Sequence, residues 1–283
     1  MKIGLVLEGG GMRGLYTIGV LDAMADNQME VDYVIGVSAG ACNGVSYVSG
    51  QRGRSYRVNL TYSTDKRYLS FQNLVKTGSL FGMDFVFEEI AHKLDPFDYD
   101  AFLASPMEFV TGITDVETGK TAYFPKEAMR YDTTLLRASS AIPLFSPMVN
   151  FKGRNYLDGG TTDPIPVRKA LEDGCDKVIV VLTRQWDYVK KPQSLQVAYS
   201  RAFHKYPEMV RALKRRHEVY NETRRYVAEL CEVGTAFVIC PQDLLGMDRF
   251  EKNKEKLDAV YQNGYKDFVR KQRALQHFLY EGK

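Results

Sequence analysis

The first fifty residues constrain the fold most, because they contain the same local pattern twice. A short apolar run ends in a glycine-rich turn and continues into a helix-compatible segment, first as Ile3–Leu7 with Leu15–Ala25, then as Val31–Ile35 with Ala39–Val48. A strand, a turn and a helix repeated at about thirty residues are typical of a mostly parallel sheet with helices on both faces. We therefore predict an α/β fold, a three-layer α/β/α sandwich with a mainly parallel sheet.

Later segments extend this pattern. Lys177–Leu182 and Ala236–Cys240 are rich in β-branched residues and predict further strands. Glu108–Thr114 and Thr121–Phe124 flank a turn containing glycine, which predicts a hairpin. The stretch 51–105 is aromatic and polar with mixed periodicity, and we interpret it as a largely helical insertion over one end of the sheet.

The length of 283 residues is compatible with one or two domains. We divide the chain into an α/β domain over residues 1–200 and a mostly helical C-terminal region over 201–283, packed on or extending the same domain. Between Arg201 and Arg225 there are eight Lys or Arg and three Glu, with apolar residues at helical spacing. A solvated helix face is the favoured interpretation, and a face for anionic lipid headgroups is the alternative.

Composition excludes several classes of protein. A net charge of +3 gives no reason to expect a nucleic-acid partner, and 45% hydrophobic residues are typical of a globular chain. Four cysteines without CxxC spacing predict neither a disulfide scaffold nor a zinc site, and they suit a reducing cytoplasm. No run approaches the ~18 apolar residues of a membrane span. We expect a cytoplasmic protein, with peripheral contact at the inner membrane surface left open; the oligomeric state is not predicted.

The first glycine-rich turn, Gly9–Gly14, reads GGGMRG and also satisfies the dinucleotide pattern GxGxxG. Residues without Cβ let backbone N–H groups approach an anion at a helix N-terminus. That anion would be the pyrophosphate of a cofactor or the transient oxyanion of acyl transfer. A turn that needs glycine only for packing is the third interpretation.

The second motif, Gly36-Val37-Ser38-Ala39-Gly40, discriminates between these interpretations. A dinucleotide fold places an acidic residue at the end of the second strand, whereas here Asp32 lies at its beginning. GxSxG after a strand is the nucleophile elbow, in which a strained turn lifts the serine hydroxyl above the sheet. A serine N-cap of an ordinary helix is the alternative interpretation of Ser38.

A serine hydroxyl needs a base to become a good nucleophile. All four histidines lie in charged, helical segments where a solvated side chain is the favoured interpretation: His92, His204, His217 and His277. The order Ser38, Asp158, His277 fits an α/β-hydrolase triad, but only 37 residues precede Ser38, too few for the strands before that elbow. Asp158 precedes two glycines, and a partly desolvated carboxylate there would act as base in a two-residue arrangement. An ordinary Asp-Gly turn is the alternative.

Three motifs in order, GGGMRG at 9–14, GVSAG at 36–40 and DGG at 158–160, resemble those of the bacterial branch of the patatin-like phospholipase family. RASSAIPLFSPM at 137–148 resembles the segment that leads into the third motif. The resemblance covers residues 1–182, and we match the remainder only in general character. In place of an Asn that is frequent in the family, this chain has Asp163, a departure that concerns the loop after the third motif.

The resemblance implies a patatin-like catalytic domain in which Ser38 is the nucleophile and Asp158 the base, without histidine. It also implies that backbone N–H groups around Gly10, Gly11 and Met12 form the oxyanion hole. The site residues implied beside the dyad belong to the first turn (Gly9, Gly10, Gly11, Met12, Arg13, Gly14), the elbow (Gly36, Gly40) and the base loop (Gly159, Gly160).

The sequence thus predicts a serine acyl hydrolase that cleaves lipid carboxylic esters and needs no metal or other cofactor. The aromatic stretch Phe71–Phe102 would line an acyl channel or belong to the core. The rival hypotheses are a nucleotide-dependent oxidoreductase that uses GGGMRG, a non-catalytic lipid-binding protein on the same fold, and acyl transfer to an acceptor other than water.

Overall fold

The computed structural model describes residues 1–192 and 194–281. Its centre is an eight-stranded sheet with the order β5-β6-β3-β2-β1-β7-β8, and β4 pairs with β3. The strands are β1 (Ile3–Leu7), β2 (Tyr33–Gly36), β3 (Glu108–Asp115), β4 (Lys120–Pro125), β5 (Val149–Phe151), β6 (Arg154–Asp158), β7 (Lys177–Val181) and β8 (Ala236–Ile239).

Helices connect and cover these strands. They are α1 (Gly14–Asp26), α2 (Ala39–Val48), α3 (Arg54–Tyr62), α4 (Phe71–Thr77), α5 (Tyr99–Ala104), α6 (Thr134–Ser139), α7 (Val167–Glu172), α8 (Gln196–Ala202), α9 (Pro207–Glu232) and α10 (Lys254–Gln276). Phe85–Leu94 and His277–Glu281 are π-helical, and Gly11–Arg13, Lys126–Met129 and Gly159–Thr161 form 3-10 turns.

The predicted three-layer architecture is confirmed. Strands β3, β2, β1, β7 and β8 are parallel, whereas β4, β5 and β6 join antiparallel on one side. Side chains along β1 alternate between two apolar cores: Leu5 and Leu7 pack with α1, α2 and α10, and Val6 packs with α7 and α9. The sheet is therefore covered on both faces, as its almost wholly buried central strands require.

The register of the parallel strands determines where the site forms. Leu7, the last residue of β1, pairs with Gly36 at the end of β2 and with Val181 at the end of β7. The turns that follow these three strands consequently meet at one edge of the sheet, the position where parallel α/β sheets bind ligands. β6 ends at the same level, because Asp158 pairs with Ile113, two residues beyond the β3 partner of Gly36.

The predicted hairpin is present as β3 and β4, and residues 51–105 are largely helical, as expected. The second strand begins later than the apolar run suggested, at Tyr33. Asp32 precedes it and its carboxylate accepts the backbone N–H of Ile3 at 2.6 Å, which ties the start of β2 to β1.

The C-terminal region adds to the same sheet. β8 pairs with β7, and α10 packs along α1 through hydrogen bonds from Tyr16 to Asp267 at 2.8 Å and from Tyr261 to Asp22 at 3.0 Å. Most of the basic segment is helical, in the end of α8 and in α9, and its periodic apolar residues are buried: Met209, Leu213, Tyr220 and Val227. The division of the chain into an α/β domain and a C-terminal region at residue 200 stays a prediction. Most of the C-terminal region packs on the α/β domain.

Candidate active site

Ser38 lies in the tight turn between β2 and α2. Its backbone φ of 55° lies in the left-handed region, an unfavourable conformation for a residue with a side chain. Gly36 and Gly40 make this turn possible, since a Cβ at Gly36 would lie 2.6 Å from the carbonyl carbon of Gly40 and one at Gly40 would lie 2.4 Å from the oxygen of Leu7. The geometry is that of a nucleophile elbow, with the serine immediately before the N-terminus of α2.

Asp158, at the end of β6, faces this serine. The Oγ of Ser38 donates a hydrogen bond to Oδ2 of Asp158 at 2.7 Å, and both side chains are buried. The other carboxylate oxygen, Oδ1, accepts the N–H of Gly160 at 2.8 Å. The glycine at 159 is required by packing, because a Cβ there would lie 2.1 Å from the carbonyl oxygen of Gly112. The structure therefore brings together the two residues that the motifs singled out.

Burial raises the pKa of Asp158, and this effect outweighs the nearby positive charge of Arg216 and the hydrogen bonds from Ser38 and Gly160. Arg216 also donates from Nε to the carbonyl oxygen of Gly160 at 2.9 Å, which fixes the turn after the aspartate. A carboxylate held this way, with a hydroxyl at hydrogen-bond distance, has the geometry and basicity that a general base needs.

A third contact fixes the elbow from the opposite side. Ser139, in α6, accepts the backbone N–H of Ser38 on its Oγ at 2.8 Å and donates to the carbonyl oxygen of Gly112 at 2.7 Å. Because its own N–H is used in this way, Ser38 does not have it free for a ligand. Ser139 lies in the segment 137–148 that resembled a family motif, but the sequence did not indicate its role.

The first glycine-rich turn follows β1 and borders the serine. Gly11 has a φ of +57°, and the N–H of Met12 donates to the carbonyl oxygen of Arg249 at 3.1 Å. The N–H of Gly9 lies 3.4 Å from the oxygen of Pro164. Among the residues that the structure describes, the N–H groups of Gly10 and Gly11 have no hydrogen-bond partner. Of the three N–H groups predicted as oxyanion donors, those of Gly10 and Gly11 are therefore available to a ligand in this structure, whereas that of Met12 is used by Arg249.

Two cavities meet at Ser38. The first has a volume of about 150 Å³ and a mostly apolar lining. Its walls come from α1, α2, α3 and the segment between Phe81 and Tyr99, so part of the stretch predicted as channel or core lines a cavity. The second, of about 50 Å³, is polar and includes Asp158, Gly10 and Gly11. The serine thus separates an apolar chamber from a charged one.

Comparison with known proteins agrees with the motifs and the geometry. The family model "Patatin-like phospholipase" matches residues 5–171. The chain belongs to the patatin-like phospholipase family. A second model, a domain of unknown function called DUF6363, matches residues 206–280.

Relatives of this patatin-like protein are found in bacteria and fungi. The Escherichia coli protein YjjU is 32% identical over 198 residues, 64% of this chain and 52% of that protein. The lysophospholipase NTE1 of Yarrowia lipolytica is 28% identical over 189 residues, 63% of this chain and 12% of that protein. The match therefore spans about half of the first relative and a small part of the second. In the solved structure of VipD from Legionella pneumophila the fold is similar, with a TM-score of 0.53 at 11% identity over 96% of this chain and 67% of that one.

The histidines of this patatin-like chain lie away from Ser38 and Asp158. All four belong to the described residues, and none of them lines either cavity at Ser38. The side chains of His204 and His217 contact backbone carbonyls of their own segments, and His92 contacts Tyr99 and a backbone carbonyl. The triad hypothesis with His277 has no support in the geometry.

Asp163, the departure from the family pattern, is half-buried below the base loop. It accepts a hydrogen bond from the hydroxyl of Tyr123, and its backbone N–H donates to the oxygen of Gly159 at 3.0 Å. Burial raises its pKa. The loop after DGG is therefore closed by local hydrogen bonds, and the hydrogen bond between Ser38 and Asp158 forms with aspartate at position 163.

Residues 1–192 and 194–281 contain neither a cluster of metal-binding side chains nor a helix able to span a membrane. No group of three or more His, Cys, Asp or Glu side chains there is arranged to hold a metal ion. No helix in the same ranges combines the length and the apolar character that crossing a bilayer requires.

Proposed function

We propose that this protein is a serine acyl hydrolase that cleaves carboxylic esters of lipids with a Ser38–Asp158 dyad. The observation that supports it most directly is the buried hydrogen bond of 2.7 Å from the serine hydroxyl to the carboxylate, at the end of a strand and before a helix. Membership of the patatin-like family supports the same activity.

In the first step the Oγ of Ser38 attacks the ester carbonyl carbon, and its proton passes to Oδ2 of Asp158. The carbonyl oxygen becomes negatively charged and accepts hydrogen bonds from the N–H groups of Gly10 and Gly11. The C–O bond then breaks, and the proton on Asp158 passes to the departing alcohol, which leaves an acyl-serine.

In the second step a water molecule attacks the acyl-serine, with Asp158 taking one of its protons. The tetrahedral intermediate collapses to the free acid, and the proton returns to Oγ of Ser38. Because Asp158 is ionised again at the end, the cycle balances without a further cofactor.

In this proposal the apolar cavity holds the acyl chain of the substrate. Its walls include Leu15, Val58, Phe87 and Leu136, and the space of about 150 Å³ suits a methylene chain rather than a polar group. The NTE1 relatives are named lysophospholipases, which supports an acyl-lipid substrate of the phospholipid or lysophospholipid type for this chain.

The test is hydrolysis of p-nitrophenyl esters of graded chain length by purified protein. We expect Asp158→Asn to lower kcat by about 10²–10⁴-fold, the range for loss of a general base, and Ser38→Ala to lower it at least as much because it removes the nucleophile itself. The matched control is Ser46→Ala, also on α2, whose buried hydroxyl has no hydrogen-bond partner among the described residues.

Each histidine is replaced by alanine in the same assay, and we expect kcat to stay within about twofold, since a histidine base would cost ~10²-fold or more. A histidine variant as inactive as Ser38→Ala would replace the dyad with a triad. Full activity of Asp158→Asn would refute the proposed base.

A further inference from the structure

The polar cavity beside Ser38 contains a concentration of positive charge, and among the described residues only one of its cations, the Arg216 guanidinium, contacts the loop of the proposed base. Five basic side chains line it, and they come from four separate segments of the chain. Arg13 follows β1, Arg184 and Lys190 follow β7, Arg216 lies in α9, and Arg249 precedes α10.

These cations have few counter-ions. Among the described residues, none of the five forms a salt bridge. The two carboxylates in the cavity are already engaged: Glu8 accepts from the backbone N–H of Thr183 at 2.6 Å and from the hydroxyl of Tyr220 at 2.9 Å, and Asp158 accepts from Ser38. Five cations therefore face two carboxylates whose hydrogen bonds go to other groups, and the cavity carries an excess of positive charge.

Arg13 is an independent observation that points to an anionic ligand. Its side chain is 7% exposed, and its Nε has no hydrogen-bond partner in the described part of the chain. A buried donor without a partner is costly, and a buried cation without one more so. Because Arg13 lines the cavity, a bound anion would pair with it there.

The cations also disfavour one another's charge. Burial, together with the neighbouring Arg216 and Arg249, lowers the pKa of Lys190 to about 7. Burial and the neighbouring Arg184 lower the pKa of Arg13 to about 10. An anion in the cavity would relieve this repulsion and stabilise both ionised side chains, which is the electrostatic signature of an anion site.

We propose that this cavity binds the phosphate group of the substrate's head group, so that the enzyme prefers anionic, phosphate-bearing acyl lipids to neutral acyl esters. The assignment rests on the proposed hydrolase function. Ser38 lines both cavities, so a substrate with its acyl chain in the apolar chamber and its phosphate among the arginines presents its ester between them. Specificity then comes from Arg184, Lys190 and Arg249, which lie outside the three motifs.

The first experiment compares two soluble substrates with the same short acyl chain, a 1-acyl-glycerol-3-phosphate and a 1-monoacylglycerol, below their critical micelle concentrations. We expect kcat/KM to be at least about 10-fold higher for the phosphate ester, the effect of one or more charge-assisted hydrogen bonds. Arg184→Gln and Arg249→Gln should each reduce this ratio about 10-fold. The control Arg215→Gln changes an exposed arginine of α9 that pairs with Glu218, and the ratio should not change.

The second experiment measures binding without turnover, by calorimetry on Ser38→Ala with dodecyl phosphate, dodecanol and inorganic phosphate. We expect dodecyl phosphate to bind at least about 10-fold more tightly than dodecanol, and inorganic phosphate to bind more weakly than dodecyl phosphate, because it lacks the chain contacts. Inorganic phosphate binding as tightly as dodecyl phosphate would overturn the head-group assignment in favour of a free-phosphate site.

The outcomes separate this inference from the proposed function. Hydrolysis of p-nitrophenyl esters with equal kcat/KM for the phosphate and neutral glycerides would refute the head-group site and leave the hydrolase intact. Absence of all ester hydrolysis, with dodecyl phosphate still preferred in calorimetry, would refute the hydrolase. A ratio unchanged in both Arg184→Gln and Arg249→Gln would also overturn the site.

Discussion

Both residues of the proposed dyad carry an unfavourable state in the folded protein. Ser38 has a left-handed backbone conformation, and Asp158 is a carboxylate removed from water. Such strain and desolvation persist where the surrounding structure enforces them and are concentrated at functional sites. Here Ser139 and Arg216 are the enforcing contacts.

At Asp158 the cost in stability can be measured through its pH dependence. Because burial raises the pKa of Asp158 in the folded state, the folded protein favours the protonated carboxyl. Protonation of Asp158 therefore adds stability that is complete below the unfolded pKa of about 3.9 and is lost as the pH rises through the folded pKa. Asp158→Asn resembles the protonated form. We expect this inactive variant to melt at a higher temperature than wild type at pH 8, with the difference shrinking towards pH 4.

Thermal melts by circular dichroism at four pH values test this prediction, with Asp132→Asn at an exposed carboxylate as the control. A variant less stable than wild type at pH 8 would contradict the desolvation argument. The same shift predicts that esterase activity falls as the pH drops through a value above ~3.9, since the base must be ionised.

The sequence allowed the prediction of Ser38 and Asp158 because each lies in a short motif whose glycines reveal the local backbone. Ser139, Arg216 and Arg249 could not be predicted. Their roles depend on contacts between residues far apart in the chain, such as the hydrogen bond from Arg216 to Gly160, and no local pattern distinguishes an inward arginine of α9 from its solvated neighbours.

At the scale of elements, the closest packing joins the first and the last long helices. A Cβ at Gly264 of α10 would lie 2.1 Å from the carbonyl oxygen of Tyr16, and one at Gly19 of α1 would lie 2.0 Å from that of Tyr261. The two backbones therefore touch at reciprocal glycines. Tyrosine–aspartate hydrogen bonds lie on both sides of this contact, so the crossing combines close packing with satisfied polar groups.

We expect Gly264→Ala to destabilise the protein although alanine is the better helix former. The added methyl group would push α1 and α10 apart, at a cost of about 1–3 kcal/mol that exceeds the ~1 kcal/mol gained in helix propensity. Urea unfolding measures the difference, with Lys266→Ala at an exposed position of α10 as the matched control. A variant as stable as Lys266→Ala would show that the helices separate without cost.

Local patterns predicted the elements around the first two motifs well, because β1 and β2 are buried apolar runs bounded by glycine. The antiparallel strand β5 was not predicted from the sequence, since Val149–Phe151 is only three residues long and gains its strand character from pairing with β6. The position of α10 against α1 depends on glycine contacts between residues that are some 245 positions apart in the sequence. A pattern within one segment of the chain cannot predict such a contact.

At the scale of the whole molecule, the C-terminal region completes the site as well as the sheet. Arg249 uses its carbonyl oxygen to hold the N–H of Met12 in the first glycine turn, and Arg216 holds the base loop. The region matched by the second family model thus contacts the first glycine-rich turn and the loop after Asp158, both of which belong to the proposed site. An activity that depends on these loops should depend on the presence of that region.

We therefore expect residues 1–205 to fail to fold alone, although they contain the whole patatin-like match. Truncation leaves the edge of β7 unpaired and exposes the buried face of α1 to water. Size-exclusion chromatography and thermal melting should show aggregation and no cooperative transition. The control is the full chain cut once at an engineered protease site between α8 and α9, whose fragments should stay associated and active. A monomeric 1–205 with a sharp melting transition and esterase activity would contradict this dependence.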